Sequence, residues 1–299
     1  MQEHALRSEH ATTIALDLHA RSAALAALDL ATGETRGGRL ADCPSAELIV
    51  DWAKWATGPL RLAYESGPCG FQLAREIRAM GVGCDIIAVT SIPRSTEDKR
   101  PEDDRRDALA LLEAVTAPSC KCKAARIPSE GSEAARDLCR AHYDMVLATN
   151  RLKTRFSAMP LRHGFVWNER TPRGNLRPTW TRDYVKWAGS IRLPADAENQ
   201  TPKSCLRGVL DGLDRRNEVR RKCLGLSESE SFKPCVDALT RLNGVDRMGA
   251  LTFVSNMDEF SRFKSVRSVS KRFGPAPTRR DSGEKVGRNG RISKWVTPQ

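Results

Sequence analysis

The chain has 299 residues, enough for one large domain or two, with an apolar share that permits a real core and a formal net charge of +12 at pH 7. No stretch approaches the ~20 apolar residues of a membrane span, and the N-terminal MQEHALRSEHATT lacks the apolar core of a signal peptide. The expectation is therefore a cytoplasmic protein that does not enter a membrane. Nine cysteines, scattered singly apart from Cys120 and Cys122, fit reduced thiols. Cys120-Lys121-Cys122 has no second Cys or His pair at zinc-finger spacing, so it reads as structural or incidental.

In chain order, TIALDLH and SAALAALDL (22–30) are apolar runs of strand length, followed by the turn residues of ATGETRGG and a short third strand in GRLADC. SAELIVDWAKWA (45–56) has Ser45 as an N-cap and apolar residues at helical intervals. PLRLAYES (59–66) reads as a buried strand ending at Ser66-Gly67-Pro68. FQLAREIRAMG is an amphipathic helix stopped by Gly81, and CDIIAV (84–89) is another buried strand. EDKRPEDDRRDALALLEAV (97–115) then opens as a crowd of charges and turns apolar at helical spacing. Three strands, helix, strand, helix, strand, helix is the ribonuclease-H-like order, a mixed sheet covered by helices.

From about 133 to 161 a long helical pattern carries Arg and Lys along one side and Leu138, Met145 and Leu152 along the other. Such a helix either packs on another protomer or flanks its own core. Residues 165–194, with Trp167, Trp180 and Trp187 among Arg, Pro and Gly, read as irregular and basic. CLRGVLDGLDRRNEVRRKCLGL is helical again, and the segment from Ser231 reads as several short helices broken at Gly244 and Gly274, before a polar, Gly-rich end. The fold class is thus α/β: an N-terminal ribonuclease-H/RuvC-like mixed sheet (10–130), a helical, basic linker or dimerisation region (131–231) and a small, mostly α-helical C-terminal domain (232–299).

The charge is uneven. Residues 151–192 hold ten Lys/Arg against Glu169 and Asp183, and residues 261–299 hold eleven against Asp281 and Glu284, leaving a net −5 on the rest. Two basic segments on a mildly acidic body are the electrostatic footprint of a polyanion-binding protein, here nucleic acid.

Four acids stand out. Asp17 lies inside the first apolar strand, and Glu65 ends the next long one, where a carboxylate has no packing reason to be. Asp104 and Asp107 sit three apart at a helix start, beside Arg105 and Arg106. Taken alone, that pair is an ordinary helix entrance, since acids in a first turn suit the dipole and cap free amides. Taken together, carboxylates at neighbouring strand ends and on a helix packed across them would repel unless a hard divalent cation held them. Two Mg²⁺ ions are the usual arrangement for displacement at a phosphodiester, with Mn²⁺ as the common substitute.

These pieces carry a resemblance. IALDLH, AYESGPCGFQLAREI, DDRRDALALLEA, RLKTRFSAMPLRHG, LTRLNGVDRMGALTFVSNMDEFSRFKS and GPAPTRRDSG, in that order from about residue 12 to 294, resemble the DEDD insertion-sequence transposases. This RuvC-like family includes the pilin-gene invertases and the bridge-RNA-guided recombinases. The resemblance implies that Asp17, Glu65, Asp104 and Asp107 are its metal-binding acids. It also implies that Ser282, in the Asp281-Ser282-Gly283 turn, is the nucleophile that attacks DNA. A serine on a Gly-flanked turn is exposed, its backbone can approach a phosphate, and Arg279, Arg280 and Lys285 could steady developing charge. Arg105, Arg106, Arg151, Lys153 and Arg155 are the expected nucleic-acid contacts elsewhere.

The implied partners are DNA, both element ends and target, a structured guide RNA, and further copies of the chain in a dimer or tetramer. In the family the serine domain of one protomer serves the acidic site of another. The chain departs from the family pattern at Asp281, where a second Ser is typical, and at Asn256, where an acid is common. It also reads WVTPQ after Lys294, where relatives continue with Gly-Asn and further helices, the expected mark of a shortened C-terminus. Two other readings stay open: a catalytically inactive nucleic-acid-binding remnant, and a metal-dependent nuclease or resolvase that uses water and does not need Ser282.

Overall fold

The computed structural model describes residues 12–56, 58–92, 103–193, 196–273, 277–279 and 289–292. The chain divides into two compact units, with the boundary between Pro128 and Ser129.

The first unit is built from β1 (Thr12–Leu18), β2 (Ala23–Asp29), β3 (Thr35–Leu40), α1 (Ala46–Trp52), β4 (Leu60–Glu65), α2 (Gln72–Ala79), β5 (Gly83–Ile87), α3 (Asp104–Thr116) and β6 (Ala124–Ala125). The six strands lie in the order β3-β2-β1-β4-β5-β6. β1, β4 and β5 run parallel, while β2, β3 and β6 join antiparallel. This is the mixed sheet the sequence order anticipated.

β1 sits near the middle and reads as a continuous apolar run because both its faces are covered. Ile14 and Leu16 share one face with Leu62 and Tyr64, packed against Ile49 of α1 and Ile77 of α2. Ala15, Ala24, Ala26 and Ala63 form the other face, under Ala108, Leu111, Leu112 and Val115 of α3. Four alanines leave that face nearly flat, so α3 lies close to the strands. Cys122 is buried in the same layer with Cys120 packed against it, which gives the Cys-Lys-Cys run a structural role.

The local signals acted as expected. Ser45 caps α1 by accepting from the Leu48 amide at 3.4 Å, and Gly81, at φ +80°, follows the end of α2. β3 starts earlier than the sequence suggested, at Thr35, and β6 carried no sequence signal. Within β3, Gly38 leaves room for Trp52: a Cβ there would stand 2.6 Å from the indole Nε1.

The second unit holds α4 (Glu130–Arg162), α5 (Arg182–Ser190), α6 (Asp196–Ser227), α7 (Lys233–Thr240), α8 (Arg247–Met257), α9 (Val266–Phe273) and a two-stranded ladder of β7 (Pro277–Arg279) and β8 (Asn289–Ile292). α4 is capped by Ser129, whose Oγ accepts from the Ser132 amide at 3.2 Å and donates to Asp258 at 2.8 Å. Its buried residues are Ser132, Ala135, Cys139, Thr149, Phe156, Met159 and Pro160, and all but the last fall on one stripe at intervals of three, four, seven or ten.

That stripe has an internal partner. α6 runs antiparallel to α4: Gly208 meets Leu152, Gly212 meets Thr149, and the Cys223 thiol donates to the Leu138 carbonyl at 3.7 Å. Of the two packings that the long helix allowed, the one against its own core is present along this stripe. Residues of α4, α6, α7 and α8 then share a core that includes Cys139, Cys223, Val236 and Leu251.

Two expectations need correction. The stretch 165–194 is not irregular throughout, because Arg182–Ser190 is helical, capped by the Thr181 hydroxyl on the Tyr184 amide at 3.3 Å. The polar, Gly-rich end includes the β7–β8 ladder, which the sequence reading did not anticipate. The break at Gly244 is real, with φ +87° between α7 and α8, while Gly274 lies outside the described residues. Among the described residues no helix is long and apolar enough to cross a membrane.

Candidate metal centre and nucleic-acid interface

The site begins with strand parity. Successive side chains of a strand alternate between faces, so Ala15, Asp17 and, just past the end of β1, His19 fall on the α3 side. Glu65 closes β4 on the same side as Ala63, one strand over. α3 starts at Asp104. The capping role is filled by its neighbour Asp103, whose carboxylate accepts from the Arg105 amide at 3.2 Å. Asp104 is therefore available for something else, and it turns toward the end of β1.

There the His19 Nε2 stands 3.1 Å from Asp17 Oδ2 and 3.3 Å from Asp104 Oδ1, and the Arg39 guanidinium is 3.5 Å from Asp104 Oδ2. One donor atom from each of Asp17, His19 and Asp104 lies within 4.8 Å of the others. The Asp17 side chain is 24% exposed and that of Asp104 33%. Burial pushes the Asp17 carboxyl above the ordinary range, His19 draws it back, and the charges of Asp104 and Asp107 push it up again. Asp107 is exposed and Glu65 half-buried. The structure thus brings Asp17 and Asp104 together with His19 and sets Glu65 and Asp107 outside that tight group. A divalent cation fits the donor set: two carboxylates and one imidazole converge, and the rise in the Asp17 pKa is what a nearby positive charge would offset.

His19 was missed in reading the sequence. Its signal was present in Asp17-Leu18-His19, since two residues apart on a strand means one face.

Two other strand acids show why Asp17 differs. Asp29 accepts from the backbone amides of Ala31 and Thr32 at 2.8 and 3.1 Å and closes the β2–β3 turn; those bonds, the Thr32 one foremost, hold its carboxyl below the usual range. Asp85 is gripped by the Arg61 guanidinium, with Nε at 2.6 Å, and faces Arg78 at 3.6 Å. Both are structural carboxylates with hydrogen-bond donors of their own. Asp17 faces other acids.

The basic residues divide. Arg105 and Arg106 are exposed in the first turn of α3. Arg151 and Arg155, one helical turn apart on α4, are exposed, but Lys153 lies over the Trp180 ring at 5.5 Å. Burial, with a contribution from Arg216, lowers its pKa. Lys153 therefore serves the aromatic cluster of Phe156, Trp167, Trp180, Tyr184 and Trp187 more than an open surface. Arg279 belongs to β7, while Arg280, Ser282 and Lys285 lie outside the described residues.

Residues 236–299 match the model of the transposase IS116/IS110/IS902 family. The chain is similar to proteins named as transposases. The transposase-like protein y4qE of Sinorhizobium fredii is 29% identical over 227 residues, covering 76% of this chain and 52% of that protein. The transposase for insertion sequence element IS1533 of Leptospira borgpetersenii is 25% identical over 231 residues, covering 75% of this chain and 61% of that one. The chain thus spans between half and two thirds of the length of these relatives. Both matches extend well beyond the family segment, since each covers three quarters of the chain.

Proposed function

We propose that the chain cuts and rejoins DNA for an insertion sequence, with Asp17, Glu65, Asp104 and Asp107 holding Mg²⁺ at a phosphodiester and Ser282 attacking it. The observation that supports this most is the meeting of Asp17 and Asp104, distant in sequence, at the end of a central strand of a chain whose C-terminal segment matches a transposase family. When bound, Mg²⁺ would neutralise charge developing on the phosphate and on the departing oxygen.

The protein's own groups do the rest. Arg105 and Arg106, exposed on the helix that carries Asp104, are placed to hold the phosphates flanking the scissile one. Arg151 and Arg155 extend the contact along the backbone of a nucleic acid, either element DNA or a structured guide RNA. The Ser282 hydroxyl forms the covalent link to DNA, with Arg279, Arg280 and Lys285 stabilising the charge that develops as it attacks. The serine and the acids act across protomers of a dimer or tetramer.

The test is incubation of the full chain with element-end DNA, Mg²⁺ and co-expressed flanking RNA, followed by a denaturing gel. Wild type should give a covalent protein–DNA adduct, and Ser282→Ala should lose both adduct and strand exchange. A second reading, a nuclease using metal-bound water, is favoured by one observation: Asp17, His19 and Asp104 all come from the first unit. Cutting by Ser282→Ala at the wild-type rate, with no adduct from either protein, would establish that reading instead.

A further inference from the structure

The DEDD reading leaves one member of the cluster without a role, and it is the member closest to both acids. His19 Nε2 lies 3.1 Å from Asp17 Oδ2 and 3.3 Å from Asp104 Oδ1. Adjacent ligands on an octahedral divalent ion, with metal–donor bonds of about 2.0–2.1 Å, lie roughly 3 Å apart. The His19 nitrogen already stands at about that separation from each carboxylate, and all three donors lie within 4.8 Å of one another. The ring is also free of packing duty: its side chain is 53% exposed, and His19 belongs to none of the apolar clusters. Its backbone is fixed instead, by the His19 amide donating to the Ser22 carbonyl at 2.9 Å in the β1–β2 turn. The position is thus set by the turn and the strand parity, and the imidazole projects to the acids.

We propose that His19 is a ligand of this metal site and sets its preference, so that Mn²⁺ binds more tightly than Mg²⁺. The inference rests on the reading of Asp17 and Asp104 as cation ligands and deepens it. Mg²⁺ takes oxygen donors and keeps its waters, so an imidazole adds little for it. First-row transition ions accept imidazole nitrogen readily, and Mn²⁺ is the member of that series nearest to Mg²⁺ in its liking for carboxylates. Two carboxylate oxygens and one nitrogen are a mixed set that discriminates between the two ions.

The same distances allow an opposite role. A protonated His19 donating to both carboxylates would be a built-in counter-cation, which an incoming metal must displace. The two roles predict opposite effects of removing the ring. The experiment is titration of the full chain with Mn²⁺ alone and Mg²⁺ alone, following free Mn²⁺ by electron paramagnetic resonance and both ions by calorimetry. Wild type, His19→Ala, His19→Asn and Asp17→Asn are compared, with pulsed resonance on the Mn²⁺ complexes to detect a coordinated ¹⁴N.

The expected result is a wild-type preference for Mn²⁺, a ¹⁴N modulation, and a loss of about tenfold or more in Mn²⁺ affinity in both His19 variants. Mg²⁺ affinity should barely move, and the nitrogen signal should vanish. Unchanged or tighter Mn²⁺ binding in His19→Ala and His19→Asn would overturn the inference, and tighter binding would make His19 the counter-cation, leaving the carboxylate site intact. Binding that Asp17→Asn leaves unaltered would instead remove the carboxylate site, and with it the basis of both readings.

Discussion

Replacing Gly212 by Ala should destabilise the second unit, although Ala is the better helix former. The gain is about 1 kcal/mol, the ordinary advantage of Ala over Gly in a helix interior. The opposing term is steric: a Cβ at residue 212 would stand 2.9 Å from Thr149 Oγ1 and 3.6 Å from its Cβ and Cγ2. Thr149 is only 2% exposed and cannot swing into solvent. A forced contact of this kind in a packed interface costs about 1–3 kcal/mol, so the net is a loss of up to about 2 kcal/mol. Two glycines of the same helix are controls. Nothing lies within 4 Å of a Cβ at Gly225, and at Gly208 the nearest atom is Leu152 Cδ1 at 3.7 Å, ordinary van der Waals contact. Gly225→Ala and Gly208→Ala should therefore stabilise by about 0.5–1 kcal/mol each. Thermal unfolding followed by circular dichroism should separate Gly212→Ala from these controls by roughly 1–12 °C, at about 2–4 °C per kcal/mol for a unit of this size. Adding Thr149→Ala to Gly212→Ala should recover part of the loss through a favourable coupling. If Gly212→Ala melted with or above the controls, the close antiparallel pairing of α4 and α6 would be wrong.

Asp17→Asn and Asp104→Asn should each abolish divalent-dependent cleavage and the divalent-dependent rise in melting temperature while nucleic acid is still retained; variants that still cut would show the acids to be misassigned. Changing Arg151 and Arg155 together to Ala should flatten the log–log salt dependence of duplex binding by up to about 1.8, at about 0.9 per phosphate contact. Adding Lys153→Ala should flatten it no further, because that ammonium is turned to Trp180; a further decrease near 0.9 would put Lys153 on the phosphates. Arg61→Leu should destabilise the first unit by up to about 3–5 kcal/mol, the cost of breaking a buried pair, reduced by whatever Arg78, 3.6 Å from Asp85, still offsets, and the double change Arg61→Leu, Asp85→Leu should recover most of it; chemical denaturation showing less than about 1 kcal/mol for the single variant would contradict a buried pair.

The sequence by itself determined what is local. Apolar runs of strand length gave β1, β2, β4 and β5. Ser45 and Gly81 marked helix ends because capping and positive φ act within a few residues, and the spacing of Leu138, Met145 and Leu152 marked the apolar side of a long helix. It also singled out Asp17 as an acid out of place. The aromatic-rich basic stretch hid α5, although Tyr184, Trp187 and Ala188 keep helical spacing, and the polar, Gly-rich end hid the β7–β8 ladder. Only the tertiary structure decided what depends on a partner far along the chain. It took α6 to satisfy the stripe of α4, and Trp180 to take Lys153 out of the basic face. It took Arg61 to make Asp85 a structural acid, while Asp17 met another carboxylate and His19 joined them. Periodicity reports that a side chain faces inward. Which charge waits for it there is set by strand order and helix placement, and those follow from packing the whole unit.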